Sequence, residues 1–196
     1  FARACLDAGL LFIGPEAQVI ETMGGKTTAR RAAVAAGVPV VPGTEALADT
    51  LSDDTLRARA DEVGYPLFVK AVAGGGGRGM RRVSNADMVA PGVQAARSEA
   101  GAAFGESAVY FERLLEGARH IEVQVLGDHH GTVVPFVERE CSIQRRHQKV
   151  IEEAPGPHTT PSLAAALESY ALAFAKAAGY RNVGTVEFIS VPHSDA

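Results

Sequence analysis

The chain of 196 residues contains no tryptophan, only two cysteines and only 6% aromatic residues. The isolated Cys5 and Cys141 exclude a disulfide framework and indicate a reducing compartment. No stretch approaches the roughly 20 apolar residues that span a bilayer, and the first residues are not a signal peptide. A net charge of −4 gives no broad positive field for nucleic acid. We therefore expect a cytoplasmic or mitochondrial-matrix protein with no membrane or nucleic-acid partner.

Four consecutive glycines, at positions 74–77, separate two strand-like segments. Apolar residues 67–69 precede them and residues 80–83 follow, which predicts a β-hairpin with a glycine flap at its tip. Glycine has no Cβ, so successive N–H groups can turn towards an anion, and Lys70 and Arg78 add positive charge at the two ends. The run indicates phosphate binding, with an exposed linker as the alternative. It does not fit the G-x-G-x-x-G pattern of a dinucleotide site.

Hydrophobic periodicity predicts the remaining elements. Helices are predicted at residues 16–23, 27–36, 54–63, 85–104 with a break or kink at Pro91-Gly92, and from Pro161 to Gly179 with Thr160 as N-cap. Strands are predicted at residues 10–13, 108–115, 120–126, 132–138 and 183–189. In the strand 120–126, three polar residues alternate with apolar ones, so that one face is available for chemistry: His120, Glu122 and Gln124.

Two lysines occupy positions where a phosphate could be held. Lys26 follows two glycines at a predicted helix N-terminus, but Ile20 stands where a P-loop needs its first glycine, so the P-loop interpretation fails. Lys70 ends an apolar strand beside the glycine run. For both residues the alternative is ordinary surface charge.

The densest polar cluster is residues 138–153, for which a solvated loop is the alternative to a site. It has no aromatic residue to stack bases, and one Cys and one His six residues apart do not suit zinc. Cys141 paired with His147 as a nucleophile is disfavoured. Glu187 lies in an apolar strand, where a carboxylate needs a partner or a metal; Mg²⁺ shared with ATP phosphates is one use and an edge-facing side chain is the alternative.

Several of these features occur together, and in the same order, in one known family. They are Lys26, Lys70, the GGGGRGMR flap at 74–81, ERLL at 112–115, RHIE at 119–122, CSIQRRHQK at 141–149 and GTVEF at 184–188. Over nearly the whole chain, to about Ile189, the sequence resembles the biotin carboxylase component of biotin-dependent carboxylases, such as the alpha subunits of acetyl- or propionyl-CoA carboxylase. The resemblance implies an α+β fold of the ATP-grasp class, with a lid subdomain and part of the central antiparallel-sheet subdomain, incomplete at both ends.

The resemblance also implies domain boundaries and chemistry. Residues 1–13 would be the tail of an N-terminal Rossmann-like domain, 14–41 a helical connector, 42–114 the lid with its glycine flap and 115–196 a partial central subdomain. The activity implied is carboxylation of biotin on a carrier protein through carboxyphosphate, with ATP, bicarbonate and Mg²⁺ or Mn²⁺. The implied partners are a biotin carboxyl carrier domain and a carboxyltransferase, and the parent protein is expected to be oligomeric.

Site residues follow from the resemblance position by position. Those implied to bind ATP phosphates are Lys26, Lys70, Gly76 and Gly77. Those implied to bind the rest of the nucleotide are Met80, Glu112, Arg113, Leu114, Leu115, His120, Gln144 and His147. Lys149 would hold bicarbonate as the catalytic residue, and Glu187 would be a metal carboxylate.

The chain departs from the family at its end. The family continues into a Glu-x-Asn-x-Arg segment with a second metal carboxylate, and no such segment follows Glu187 here. We expect this polypeptide, taken alone, to be unable to complete the carboxylation, because half of its metal ligands would be missing. The alternatives are a nucleotide-binding or structural module without turnover, and another ATP-grasp ligase.

Overall fold

The computed structural model describes residues 1–73, 79–146 and 148–191, and the chain divides into two compact bodies. The first body comprises Phe1–Gly24, Thr28–Val40 and Gly117–Ala196. The second body comprises Gly25–Thr27 and Val41–Glu116.

The second body is an antiparallel sheet backed by helices. Its strands are β1 (Leu67–Ala71), β2 (Met80–Val83) and β3 (Val109–Arg113), in the order β2-β1-β3. Its helices are α4 (Asp53–Val63) and α5 (Val89–Phe104), with a short 3₁₀ turn at Ala86–Met88. Helix residues such as Leu56 and Val93 pack with Leu67, Val69 and Phe111 of the sheet in one core.

Alternation along β1 places its functional side chain. Leu67, Val69 and Ala71 are buried against the helices, so that Phe68 and Lys70 point to the opposite face of the sheet. The predicted pairing of β1 with β2 is confirmed, with Lys70 opposite Met80. Residues 74–78, which include the predicted phosphate-binding glycines Gly76 and Gly77, lie outside the described residues.

The expected break at Pro91 is wrong. Residues 86–88 form the 3₁₀ turn and α5 begins at Val89, so that Pro91 lies in the first turn of α5. In the first turn the backbone N–H has no partner within the helix, so the missing proline N–H removes no hydrogen bond.

The first body contains a five-stranded antiparallel sheet. Its strands are β4 (Arg119–Gly127), β5 (Val133–Pro135), β6 (Arg139–Arg145), β7 (Gln148–Glu153) and β8 (Asn182–Ser190). The order is β5-β4-β6-β7, and β8 pairs with β4 along its whole length. Helix α6 (Pro161–Ala177) covers one face, where Leu167, Ala171 and Ala175 pack with Ile121 and Val123.

Helix α6 begins as predicted. The Thr160 hydroxyl accepts a hydrogen bond from Leu163 N at 3.2 Å, and Pro161 occupies the first helical position. Helices α1 (Ala2–Asp7), α2 (Ala17–Gly24) and α3 (Lys26–Ala35) precede the sheets in the chain. Among the described residues, no helix is both long enough and apolar enough to cross a membrane.

The predicted buried strand at residues 10–13 is wrong. These residues form no strand, and Leu11 and Ile13 are 79% and 77% exposed. Polar side chains hold the segment that follows: Asn182 Nδ2 donates to Gly14 O at 2.9 Å, and Arg181 pairs with Glu16 at 2.8 Å. A short apolar run fits several structures, and its length alone cannot distinguish them.

The polar cluster at 138–153 is a β-hairpin rather than a loop. Strands β6 and β7 pair with Gln144 opposite Lys149, and the register shifts between Glu140 and Ile143 and again between Ile143 and Gln144. Such irregularities change which side chains share a face. The strand predicted over 132–138 is correspondingly shorter and ends at Pro135.

Candidate functional site

Two carboxylates face each other on the polar face of the sheet in the first body. Glu122 of β4 is directly opposite Glu187 of β8 in the antiparallel register. The Glu122 side chain is 3% exposed, whereas that of Glu187 is 57% exposed. Opposed like charges destabilise a sheet unless a cation lies with them.

Lys149 supplies that cation. Its Nζ donates to Glu122 Oε2 and, at 2.8 Å, to Glu187 Oε1. Burial lowers the pKa of this lysine, but its hydrogen bonds to the two carboxylates outweigh burial, so that the pKa lies above its usual value. Lys149 therefore stays charged near neutral pH and is suited to hold an anion rather than to accept a proton.

Arg139 is the second cation on Glu122. It lies opposite Glu122 in the register, and its Nε donates to Glu122 Oε1 at 2.7 Å. Its Nη2 also contacts Gln124 Oε1 at 3.3 Å. Burial raises the pKa of Glu122, but the hydrogen bonds from Lys149 and Arg139 lower it by more, so that the pKa lies below its usual value. Glu122 is thus a fixed anion whose two oxygens hold one cation each.

His120 lies at the same end of the polar face. Its Nε2 is 3.3 Å from Glu187 Oε1, and its Nδ1 is 2.8 Å from the side-chain nitrogen of Gln144. The backbone N–H of His120 donates to the Ser142 hydroxyl at 3.1 Å. The structure thus brings together four of the residues predicted from the sequence: His120, Gln144, Lys149 and Glu187.

The environment of Glu187 lowers its pKa to about 2, chiefly through contact with His120 and then Lys149, while burial opposes the shift. A carboxyl whose pKa is lower in the folded state than the 4.5 of a free glutamate stabilises the fold above that value. This contribution is lost as the pH falls through about 2.

We expect the contribution of the Glu187 carboxylate to stability to depend on pH. The difference in free energy of unfolding between the wild type and Glu187→Gln should be constant above about pH 5 and shrink towards zero near pH 2. Denaturant titrations between these limits measure it. Glu153→Gln, on the exposed strand β7, is the control for loss of a carboxylate as such. A difference that stayed constant down to pH 2 would contradict the assignment.

The two facing carboxylates differ in how well they fit a hard cation such as Mg²⁺. Ligand atoms of His120, Glu122 and Glu187 lie within 4.8 Å of one another, and carboxylate oxygens suit Mg²⁺. Both Glu122 oxygens already hold the side chains of Arg139 and Lys149, so this carboxylate fits poorly. Glu187, more exposed, is the residue that fits a metal ion.

The second body carries the other predicted cations. Lys26 opens α3, and its Nζ donates to Ala71 O at 3.0 Å. Burial lowers its pKa, and the nearby charge of Lys70 adds to the effect. Two ammonium groups close enough to repel each other are an arrangement that an anion such as phosphate would relieve.

Glu112 restrains Lys70. Lys70 Nζ donates to Glu112 Oε1 at 2.6 Å, and the Tyr110 hydroxyl donates to Glu112 Oε2 at 3.2 Å. The predicted adenine segment continues from Glu112 along the end of β3. There the backbone N–H groups of Arg113 and Leu114 already donate to the carbonyls of Pro42 and Pro66. An adenine at this segment would have to use its other backbone groups.

The remaining residues singled out in the sequence are Met80, Leu115, His147 and Cys141. Met80 opens β2, and Leu115 follows β3. His147 lies outside the described residues. Cys141 is fully buried, and burial first, then the charge of Glu122, raises its pKa to about 11. A buried, protonated thiol is a poor nucleophile, which agrees with the expectation that Cys141 is not a catalytic nucleophile.

Sequence reasoning did not assign roles to Glu122 and Arg139. The alternation of His120, Glu122 and Gln124 placed Glu122 on the right face, and this was the available signal. Arg139 gave none, because its position opposite Glu122 depends on the pairing of β4 with β6.

Comparison with known proteins agrees with this architecture. Residues 25–196 match the family described as carbamoyl-phosphate synthase L chain, ATP binding domain. The chain therefore belongs to that family. It is 49% identical over 193 residues to human mitochondrial pyruvate carboxylase, covering 98% of this chain and 16% of that protein. It is 47% identical over 190 residues to biotin carboxylase 2 of Bacillus subtilis, covering 96% and 42%.

A solved structure shows the same fold. The biotin carboxylase domain dimer of Hydrogenobacter thermophilus 2-oxoglutarate carboxylase, with MgADP, ADP and bicarbonate, superimposes with a TM-score of 0.91 and 41% identity, covering 99% of this chain and 42% of that one. The α+β ATP-grasp fold and the resemblance to biotin carboxylases are confirmed. The chain spans less than half the length of these relatives.

Proposed function

We propose that this chain is the part of a biotin carboxylase that holds ATP and bicarbonate for the carboxylation of biotin on a carrier protein. The observation that carries the proposal is the Lys149 ammonium, fixed by two carboxylates on the polar face of the sheet. It is a permanent cation beside a more exposed carboxylate that fits a metal ion. Nearly half of the residues are shared with carboxylases, which favours this chemistry over other ligases of the same fold.

The proposed reaction has two steps. An oxygen of bicarbonate attacks the γ-phosphorus of ATP, the bond to the β-phosphate oxygen breaks, and carboxyphosphate and ADP form. The carboxyl group then passes to a ring nitrogen of biotin, which loses its proton, and phosphate is released. Positioning and charge stabilisation dominate such phosphoryl transfers.

In the first body, Lys149 binds bicarbonate. An ammonium has three N–H groups, and the carboxylates of Glu122 and Glu187 engage two of them. The third can donate to an oxygen of bicarbonate. Glu187 would hold Mg²⁺ or Mn²⁺, which neutralises charge on the ATP phosphates when bound. His120, Gln144 and His147 would contact the nucleotide.

In the second body, Lys26 and Lys70 bind ATP phosphates, and Gly76 and Gly77 are proposed as further phosphate ligands. Adenine is held by residues 112–115. The sheet β2-β1-β3 with its two helices supports the proposal that residues 42–114 are the lid subdomain. By the same proposal, residues 1–13 are the tail of a Rossmann-like domain, 14–41 a connector and 115–196 a partial central subdomain.

The proposed partners are a biotin carboxyl carrier domain and a carboxyltransferase. The solved relative is a dimer, which supports an oligomeric parent protein. The relatives include mitochondrial and bacterial proteins, and we propose the cytoplasm or the mitochondrial matrix as the compartment.

Loss of the Lys70 charge tests nucleotide binding. We expect Lys70→Met to weaken ATP about tenfold or more, because a hydrogen bond between charged groups contributes about 1.5–3 kcal/mol. Calorimetric titration with ATP measures the Kd. Lys176→Met, an exposed lysine in the last turn of α6, is the matched control and should bind ATP as the wild type does. Equal affinities for all three proteins would contradict the assignment of Lys70.

A nucleotide-binding module without turnover is the second candidate, since both Glu122 oxygens are engaged by Arg139 and Lys149 and only Glu187 of the two facing carboxylates fits a metal ion. ATP binding with no bicarbonate-dependent hydrolysis, in a polypeptide of the relatives' length that carries this chain, would favour it. Hydrolysis that depends on bicarbonate and rises with free biotin would favour the carboxylase over another ATP-grasp ligase.

A further inference from the structure

The side chain of Gln144 makes two contacts through the same atom. Its Nε2 donates to the carbonyl oxygen of Cys141 at 2.8 Å and lies 2.8 Å from Nδ1 of His120. Cys141 and Gln144 both belong to β6, whereas His120 belongs to β4. The amide thus joins the backbone of one strand to the ring of a neighbouring strand.

The contact with Cys141 decides which way the amide points. A backbone carbonyl oxygen only accepts hydrogen bonds, so the atom facing it must be the NH₂ group of Gln144. That NH₂ group only donates, and Nδ1 of His120 must therefore accept. In the neutral ring one nitrogen accepts and the other donates, so the proton belongs on Nε2.

The Nε2 side of the ring faces the carboxylate cluster. Nε2 is inaccessible to solvent and lies 3.3 Å from Glu187 Oε1. Among the described residues, no atom lies in the right direction and distance to form a hydrogen bond with it. Hydrogen bonds of the neighbouring backbone help to fix the position of His120. Its backbone N–H donates to the Ser142 hydroxyl, and that hydroxyl donates to Glu140 Oε1 at 3.0 Å. Glu140 in turn is 2.5 Å from Nη1 of Arg119.

We propose that Gln144 is a positioning residue that holds His120 as the Nε2–H tautomer, with the proton on the ring nitrogen that lies nearest to Glu187. His120 is then a hydrogen-bond donor on this face and not an acceptor. The benefit of that donor to an oxygen-rich ligand rests on the proposed function. The tautomer itself does not, and it can be read without ATP.

The test is the ¹⁵N spectrum of the histidine side chains at mildly alkaline pH, where a protonated ring nitrogen and an unprotonated one resonate far apart. The signals of His120 are assigned by their disappearance in His120→Asn. We expect the wild type to show a proton on Nε2 and none on Nδ1. In Gln144→Glu, a carboxylate of nearly the same shape replaces the donor by an acceptor, and we expect Nδ1 to become protonated.

Two further variants complete the test. Gln144→Met removes the amide and should leave a mixture of both tautomers, which serves if Gln144→Glu does not fold. Gln18→Glu, an exposed position on α2, makes the same chemical change at a distance along the chain and should leave the His120 signals unchanged. A proton on Nδ1 in the wild type, or a tautomer that neither Gln144 variant alters, would overturn the proposal. If the tautomer changes as expected while ATP fails to bind any variant or the wild type, the proposed function fails and this inference stands.

Discussion

Replacing Lys149 with methionine is expected to lower bicarbonate-dependent ATP hydrolysis by about a hundredfold or more, as the loss of one preorganised donor does in other enzymes. The lysine remains charged because Glu122 and Glu187 hold it. Methionine keeps the length of the side chain but offers no charge and no donor to bicarbonate. The assay is ADP release with and without bicarbonate, in a polypeptide of the relatives' length that carries this chain.

Binding and turnover separate the possible causes of this loss. Lys149 is proposed to act on bicarbonate, so the Kd for ATP should change far less than the rate. Lys176→Met serves again as the control and should keep the wild-type rate. An unchanged bicarbonate-dependent rate in Lys149→Met, or a loss of ATP binding as large as the loss of rate, would contradict the role assigned to this lysine.

Glu122→Gln is expected to destabilise the first body by about 2–4 kcal/mol, because it removes the anionic partner of a nearly buried ion-pair network. The Glu122 side chain is 3% exposed, and both of its oxygens hold cations. Glutamine has the same shape but cannot accept from Arg139 and Lys149 at both ends, since one end becomes an NH₂ group. The two cations are partly solvated, which places the loss below that of a fully buried pair.

Denaturant titration of Glu122→Gln measures this loss. The matched control is Glu187→Gln on the opposite strand, where the same carboxylate contacts Lys149 but is more than half exposed. There we expect a clearly smaller loss, because solvent screens the ion pairs of a side chain that is more than half exposed. Equal losses for the two variants would show that burial does not set the contribution of Glu122.

The sequence predicts most elements whose signals are local. Thr160 and Pro161 mark the start of α6 because capping depends on a few adjacent residues. The hairpin of β1 and β2 follows from two strand-like segments on either side of the glycines. Glycines bound the run at residues 10–13 on both sides, but they mark only its ends and do not say what the run pairs with. Its exposed loop, followed by contacts of Gly14 and Glu16 with Asn182 and Arg181, depends on residues far away in the chain.

The site divides in the same way. His120, Lys149 and Glu187 could be named from motifs, and the alternation in β4 places His120 and Glu122 on one face. The contact of Lys149 with both carboxylates could not be predicted, because it depends on the pairing of β4 with β8 and on the irregular register of β6. Arg139 entered the site for the same reason. A pattern within one strand fixes a face, whereas contacts across strands require the pairing itself.

The irregular register of β6 also bears on how this segment can vary in length. Gln144 lies opposite Lys149 because the two register shifts between Glu140 and Gln144 change the pairing of β6 with β7. The pairing therefore depends on the number of residues between Arg139 and Lys149. One residue more or fewer in that interval would exchange the two faces of the strand and separate the amide from His120. The exposed turn at residues 128–131 carries no such constraint. Related sequences can therefore gain or lose residues at that turn, while the interval from Arg139 to Lys149 keeps a fixed length.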